Sequence, residues 1–366
     1  MNEVIRPEYE FRDRILQLMI DNKWSDLYLT VWAYPALKLA WEIIKIEDGP
    51  NVNILSWKDT MEFTQSLITE KQHDTLVKNR NLDFSFRYMD RMFRCNLSFQ
   101  LSNYMIVIRL LNDHIPTVED LNLSEAYKSI SNKSQWLVLV TWPTWSWKTT
   151  TLAAIINYIN ENYARHIITI EDPVEYVHTH KKSIIEHKEV WKDVYSYETA
   201  LMWAMRQNPD VIMFWEMRSK EQMEMALRLA ETWHLVLSTL HTRSAHQTIT
   251  RIIDAFPGEE KAQIRVQLAD SLLAVFSQRL LKWRTWSSVK MAKEILLKNT
   301  AVSNLIRENE LHQIPSVIQT WGREGMQLLE TDLIWLVWAW QISLEEALRY
   351  ANNPKLVEQA IILQTS

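Results

Sequence analysis

The sequence predicts an α/β fold, with a parallel-sheet core preceded by a small α+β domain. Three observations predict it. "WLVLVT" (136–141) is an unbroken apolar run, the mark of a strand buried on both faces. From there to residue 241, strand-like and helix-like segments alternate, which implies parallel strands joined by crossover helices. Before it, residues 25–111 are dominated by short period-2 segments.

Residues 8–23 read as an amphipathic helix, with Phe11, Ile15, Leu18 and Met19 at helical spacing. "SDLYLTV" (25–31), "PALKLA" (35–40) and "EIIKI" (42–46) read as strands, and "DGPNVN" (48–53) as a turn. Residues 57–80 look helical. "DFSFRY" (83–88), "MFRCNLSF" (92–99) and "YMIVIRLL" (104–111) return to strand. This gives a first domain over 1–111 and a linker over 112–122, where Pro116 sits among polar residues. The second domain covers 123–366. It begins with a helix over 123–134 and continues after 136–141 with helix 148–163 and strand "HIITIED" (166–172). Helix 196–207, strand "DVIMFWE" (210–216), helix 219–232 and strand "HLVLSTLH" (234–241) follow, and from 244 onward the chain reads mainly as helices.

Bulk properties narrow the function. The net charge of −5 argues against nucleic-acid binding by bulk charge. A single cysteine, Cys95, allows no intrachain disulfide and no cysteine zinc site, and fits a reducing cytoplasm. The charged N-terminal stretch lacks the apolar core of a signal peptide, and no run approaches the ~20 apolar residues of a membrane span.

One balance is abnormal: there are 4 Gly and 18 Trp. Ordinary usage would give roughly 26 glycines in a chain this long. Turns and helix C-caps are costly without them.

"WPTWSWKT" (142–149) lies between the buried strand and a helix, where a phosphate-binding loop G-x-x-x-x-G-K-[ST] would stand. Trp142, Pro143, Thr144, Trp145, Ser146, Trp147, Lys148, Thr149 and Thr150 would form it. Lys148 would reach the β- and γ-phosphates of ATP, the Thr149 hydroxyl would ligate Mg²⁺, and loop N–H groups would hold phosphate oxygens. The indoles at 142, 145 and 147 occupy the space this approach needs, so the literal loop is expected to bind ATP poorly.

The flanks supply the rest of such a site. "DVIMFWE" ends in Glu216, as a Walker B strand does, and "TIEDPVE" places Glu171, Asp172 and Glu175 at another strand end. His234 and His241 bracket a further strand. Taken singly, these residues read as solvated strand-end groups. Their joint order matches the ligand-binding edge of an open parallel sheet.

These segments, with "SDLYLTV", "DFSF", "AETWHLVLSTLHT", "RIIDAFP" and "AVSNLIRE" (301–308), resemble the secretion ATPase superfamily, specifically the retraction ATPases of type IV pili. The resemblance runs from about residue 8 to 350. It implies a PAS-like N-terminal domain, a RecA-like P-loop ATPase domain, and a homohexameric ring at the inner face of the cell membrane. There ATP hydrolysis would drive pilus disassembly through the inner-membrane platform protein. It implies roles for Lys148 and Thr149 as Walker A residues, and for Glu216 as the Walker B carboxylate and a metal-site residue. Glu171 would be an acidic-box carboxylate that orients or deprotonates water, and His234 and His241 the histidine box. Arg94 and Arg109 would match arginines that reach nucleotide at a subunit boundary, though each alone reads equally as a solvated strand residue.

The departures from this family obey a rule. Trp24, Trp136, Trp142, Trp145, Trp147, Trp191, Trp215, Trp233 and Trp321 fall where the family usually has glycine. Random drift would also damage the lysine and carboxylates. A UGA codon read as glycine in the source and as tryptophan in the printed translation gives this pattern. On that reading the loop is "VTGPTGSGKTTT" and the protein is a live motor. Read literally, it is a ring subunit that assembles without binding nucleotide. A pilus-assembly or type II secretion ATPase is the alternative enzyme. It is disfavoured because those relatives usually carry an extra N-terminal domain and a four-cysteine zinc insertion.

Overall fold

The fold was described from a computed structural model, covering residues 10–22, 24–39, 42–46, 53–111, 114–142, 147–284 and 289–365. The chain divides into two compact units. The first comprises 1–114 with 172–177, and the second 115–171 with 178–366.

Unit 1 begins with helix α1 (Glu10–Asn22) and strands β1 (Asp26–Leu29), β2 (Ala36–Leu39) and β3 (Glu42–Lys45). Helices α2 (Trp57–Leu67) and α3 (Glu70–Asn79) follow, then β4 (Asn81–Tyr88), β5 (Arg91–Gln100) and β6 (Asn103–Leu110). The strands form one antiparallel sheet in the order β3-β2-β1-β6-β5-β4. The single helix expected over 57–80 is two. Thr69 starts α3 with a capping box, its hydroxyl accepting from the Gln72 N–H while Gln72 reaches back to the Thr69 N–H. Leu16, Met19 and Phe63 from the helices pack on Leu27, Phe93, Leu97 and Ile108 from the sheet.

Unit 2 is built on a seven-stranded sheet ordered β13-β12-β7-β11-β10-β8-β9. Its chain runs α4 (Glu125–Ser129), β7 (Trp136–Thr141), α5 (Trp147–Asn162), β8 (His166–Glu171), β9 (Ile184–Glu189), α6 (Tyr197–Ala204), β10 (Val211–Phe214), α7 (Lys220–Glu231) and β11 (Leu235–Leu240). Then come α8 (Ala245–Asp254), α9 (Lys261–Ser271), β12 (Leu272–Lys282), β13 (Val289–Leu297), α10 (Thr300–Glu308), α11 (Ile314–Thr320), α12 (Leu329–Trp338), α13 (Leu344–Tyr350) and α14 (Pro354–Thr365). Strands β12, β7, β11, β10, β8 and β9 are parallel, and β13 returns antiparallel on β12.

The two-residue alternation of each strand sorts its side chains onto two faces, and both are covered. Leu137, Leu139, Ile168, Ile170, Ile212 and Phe214 join a core with α6 to α11. Val138, Val140, Ile167, Val211, Met213 and Leu237 join another with α4 and α5. Burial on both sides is why these strands read as continuous apolar runs.

The sequence reading missed β9, β12 and β13. Residues 272–282 are strand, although from 244 the chain reads as mainly helical. A buried apolar run such as "LLAVFSQRLL" has no polar face, so periodicity alone does not separate strand from helix there. The helix expected over 123–134 is α4 followed by a 3₁₀ turn at Ile130–Asn132.

Candidate active site

The parallel strands of unit 2 end side by side, so whatever follows each C-terminus shares one edge. After β7, Trp142 continues the sheet through its N–H to the Leu240 carbonyl at 3.3 Å, with its side chain 3% exposed. Pro143, Thr144, Trp145 and Ser146 lie outside the described residues. The Trp147 backbone opens α5, which puts Lys148 and Thr149 in its first turn. The four N–H groups of a first helical turn lack intrahelical acceptors and favour an anion.

Lys148 is buried, and its ammonium is 3.1 Å from His241 Nε2. Glu216, also buried, follows β10 by two residues. Its Oε1 is 3.1 Å from the same His241 Nε2, and its Oε2 accepts from Arg218 Nε at 3.0 Å. His241, the first residue past β11, thus stands between the lysine and the carboxylate. One ring nitrogen serves only one of them at a time: deprotonated it accepts from Lys148, and protonated it donates to Glu216. The cluster can therefore rearrange its bonds when an anion arrives at Lys148.

Thr149 Oγ1 is buried and has no hydrogen-bond partner among the described residues. A buried hydroxyl left unsatisfied costs free energy unless a ligand completes it, so the residue fits a hydroxyl ligand of a nucleotide-bound Mg²⁺. Among the described residues no group of three or more His, Cys, Asp or Glu could hold a metal by itself. Thr150 lies in the same first turn of α5.

Glu171 ends β8 on the same edge and is 2% exposed. Its Oε1 is 3.7 Å from His187 Nδ1 on β9. The structure does not bring His234 to this edge. It precedes β11, so the six residues of that strand separate it from His241, roughly 20 Å of extended chain. There its Nδ1 meets the Leu229 carbonyl at 3.1 Å and the Thr232 hydroxyl at 3.2 Å, the contacts of a turn.

Arg94 and Arg109 belong to unit 1, where they sit directly opposite each other on β5 and β6. Arg94 binds Asp83 Oδ2 through Nη2 at 2.6 Å and lies 3.7 Å from Glu175. Burial works against its charge, but the Asp83 hydrogen bond and the Asp83, Glu175 and Asp172 carboxylates outweigh it and hold the guanidinium above its ordinary pKa. Arg109 Nε donates to Asp26 Oδ1 at 2.7 Å. Neighbouring like charges are thus each neutralised by a carboxylate.

Sequence reasoning missed Arg218 and His187. Arg218 stands two residues after Glu216, within "FWEMR", and that proximity was its signal. His187 had none, since β9 was not recognised. Trp215 enters the site as a ring 5.8 Å from the Lys148 ammonium.

A two-face-covered parallel sheet, with a strand–loop–helix lysine and an acidic strand end converging on one edge, defines a phosphate-loop class of α/β protein. Residues 75–319 match the model of the type II/IV secretion system protein family, and the chain belongs to that family. It is 39% identical over 332 residues to the type IV pilus retraction ATPase PilT of Pseudomonas aeruginosa, covering 90% of this chain and 95% of that protein. It is 41% identical over 304 residues to a twitching motility protein of Neisseria gonorrhoeae, covering 83% and 81%. The crystal structure of the pilus retraction motor PilT with bound ADP superposes with a TM-score of 0.89 at 39% identity, over 95% of this chain and 98% of that one. Among the described residues no helix is long and apolar enough to cross a membrane.

Proposed function

We propose that this chain is the ATP-hydrolysing subunit of a homohexameric motor that retracts a type IV pilus. The observation that carries the reading is the Lys148–His241–Glu216 cluster at the C-terminal edge of the sheet, in a chain so similar to retraction ATPases. Lys148 and the first-turn N–H groups of α5 bind the β- and γ-phosphates of ATP. Thr149 and Glu216 hold Mg²⁺, which supplies charge neutralisation at the phosphates. Glu171 and Glu216 orient or deprotonate the attacking water, His241 reports occupancy of the phosphate site, and Arg94 and Arg109 supply positive charge to nucleotide at a subunit boundary of the ring. The ring works in the cytoplasm, against the platform protein at the inner face of the membrane.

The reading includes glycine at the positions where the printed sequence has Trp142, Trp145 and Trp147. The backbone supports this independently of the family. Of the eleven non-glycine residues with positive φ among those described, four are tryptophan: Trp32, Trp191, Trp233 and Trp340, at φ 57–71°. An indole there costs about 1–2 kcal/mol that glycine does not. All four are exposed, so little packing offsets the cost, although the Arg284 guanidinium lies 4.3 Å over the Trp340 ring. Trp191 and Trp233 are also family glycine positions, whereas Trp32 and Trp340 are marked by backbone alone.

The test is Mg²⁺-dependent ATP hydrolysis by the chain carrying glycine at 142, 145 and 147. Hydrolysis is expected, and Lys148→Ala is expected to abolish it while leaving the far-ultraviolet dichroism unchanged. Retained turnover in that variant would refute the site. Absence of both nucleotide binding and turnover in the glycine chain would leave the non-catalytic ring subunit as the better account.

A further inference from the structure

Glu171 is a buried carboxylate, and a buried carboxylate needs donors to stay in one orientation. Strand β9 lies beside β8 in parallel register, with Thr169 opposite His187. Thr169 and Glu171, two residues apart on one strand, share a face. His187 therefore meets the acidic residue from the neighbouring strand rather than from its own.

The contacts of His187 fix its tautomer. The backbone N–H of His178 points at His187 Nε2, at 3.0 Å. A backbone N–H only donates, so Nε2 accepts and carries no hydrogen. The single proton of the neutral ring is then on Nδ1. That nitrogen is 2.8 Å from Thr169 Oγ1 and 3.7 Å from Glu171 Oε1. Protonating the ring fully would forfeit the amide bond. The His178 ring lies nearly parallel to it, with centroids 5.7 Å apart and planes 13° apart. Burial above all pushes His178 down to about 3, so it stays neutral. The ring is held by an amide on one side and a neutral plate on its face. Its one N–H is within hydrogen-bond distance of Thr169 Oγ1, with Glu171 Oε1 beside that hydroxyl at 3.7 Å.

We propose that His187 is a positioning residue that donates Nδ1–H to the Thr169 hydroxyl beside the Glu171 carboxylate, and so fixes the orientation in which Glu171 meets the attacking water. This rests on the proposed hydrolysis, but its geometry can be tested apart from it.

Two substitutions separate the two nitrogens. In His187→Asn the amide sits where Nδ1 was and can still donate toward Thr169 and Glu171. In His187→Gln it sits where Nε2 was and can still accept from the His178 N–H, but it no longer donates toward Thr169. In the glycine-bearing chain, His187→Gln is expected to lower kcat on the order of tenfold to a hundredfold with KM for ATP nearly unchanged, and His187→Asn to recover most of that loss. A purely structural role predicts the reverse order, and that order, or equal losses, overturns the proposal. Nitrogen-15 imidazole spectra, assigned by the signal lost in His187→Gln, are expected to show the Nδ1–H tautomer near neutral pH. An Nε2–H tautomer overturns the proposal even if the chain hydrolyses no ATP. The Nδ1–H tautomer in a chain without turnover would instead place the failure in the proposed hydrolysis.

Discussion

The two edges of the parallel sheet in unit 2 are made from the same strands and do different things. At the C-terminal edge, His241 Nε2 is 3.1 Å from both Lys148 and Glu216, and Glu171 ends β8 on the same edge. At the N-terminal edge, polar groups close on one another. Asp210 Oδ2 accepts from the His166 N–H at 2.8 Å, the Trp136 N–H donates to the His234 carbonyl at 3.1 Å, and His234 closes its own turn. The difference is satisfaction. Most groups at the N-terminal edge complete one another and stabilise the fold, with the buried Gln135 Oε1 just before β7 the exception. The C-terminal edge keeps Thr149 Oγ1 without a partner among the described residues and a histidine nitrogen shared between a cation and an anion. Unsatisfied and competing groups cost stability, and are kept where a ligand completes them.

If that contrast is right, changes at the C-terminal edge should fall on turnover and changes at the N-terminal edge on stability. The largest effect is expected from Glu216→Gln in the glycine-bearing chain. It keeps the shape that Arg218 and His241 touch but removes the charge. Turnover should fall on the order of a hundredfold or more, measured by phosphate release, with nucleotide still bound. Unchanged turnover would move the burden to Glu171 and break the contrast as drawn.

A second prediction tests whether the C-terminal side carries strain in a form that pH reveals. Glu294 on β13 accepts from the Ala245 N–H at the start of α8, at 2.6 Å, just beyond the His241 loop. Burial, and to a lesser extent Glu330, push its carboxyl up to about 7 from the ordinary 4.5, although the Ala245 N–H and Arg279 pull the other way. A carboxyl raised by folding contributes stability that is fully present below about 4.5 and lost as pH rises through about 7. Glu294→Gln keeps an acceptor for Ala245 and removes the charge. It should stabilise the protein by roughly 1–3 kcal/mol at pH 8 and leave it nearly unchanged near pH 4.5, read from urea midpoints. Equal effects at both pH values would show that the buried charge is not the cause.

Much of this contrast was legible in the sequence. The strands that carry the site are continuous apolar runs because both faces are covered, and Lys148, Glu216 and His241 follow such runs directly. The edge that holds them could therefore be read from order alone. Strand β12 was not legible, since a strand buried on both faces and a buried helix share one composition. His187 was not legible either. Its relation to Glu171 is a cross-strand register, and no local pattern encodes which residue of a neighbouring strand will lie opposite. His234 shows the limit from the other side. The family resemblance implied one role for both histidines, while the length of β11 puts them at opposite edges.

Trp233 and His234 give the smaller effects and bear on the N-terminal edge directly. Trp233 holds φ 71° with its side chain exposed, so its ring is supported by little and its backbone is strained. Trp233→Gly should raise stability by about 1–2 kcal/mol and leave turnover alone. A loss of stability would mean that the indole packs usefully and would weaken the glycine reading at this position. His234→Ala should be smaller still. It removes one turn contact to the Leu229 carbonyl and one to Thr232, on a partly exposed side chain, so the cost should be about 0.5–1.5 kcal/mol. Turnover should stay within about twofold, because the length of β11 separates this residue from Glu216 and Lys148. A large fall in kcat without a fall in stability would make His234 a working member of the site, through a neighbouring subunit or a rearranged strand end. The two edges would then differ in satisfaction but not in function.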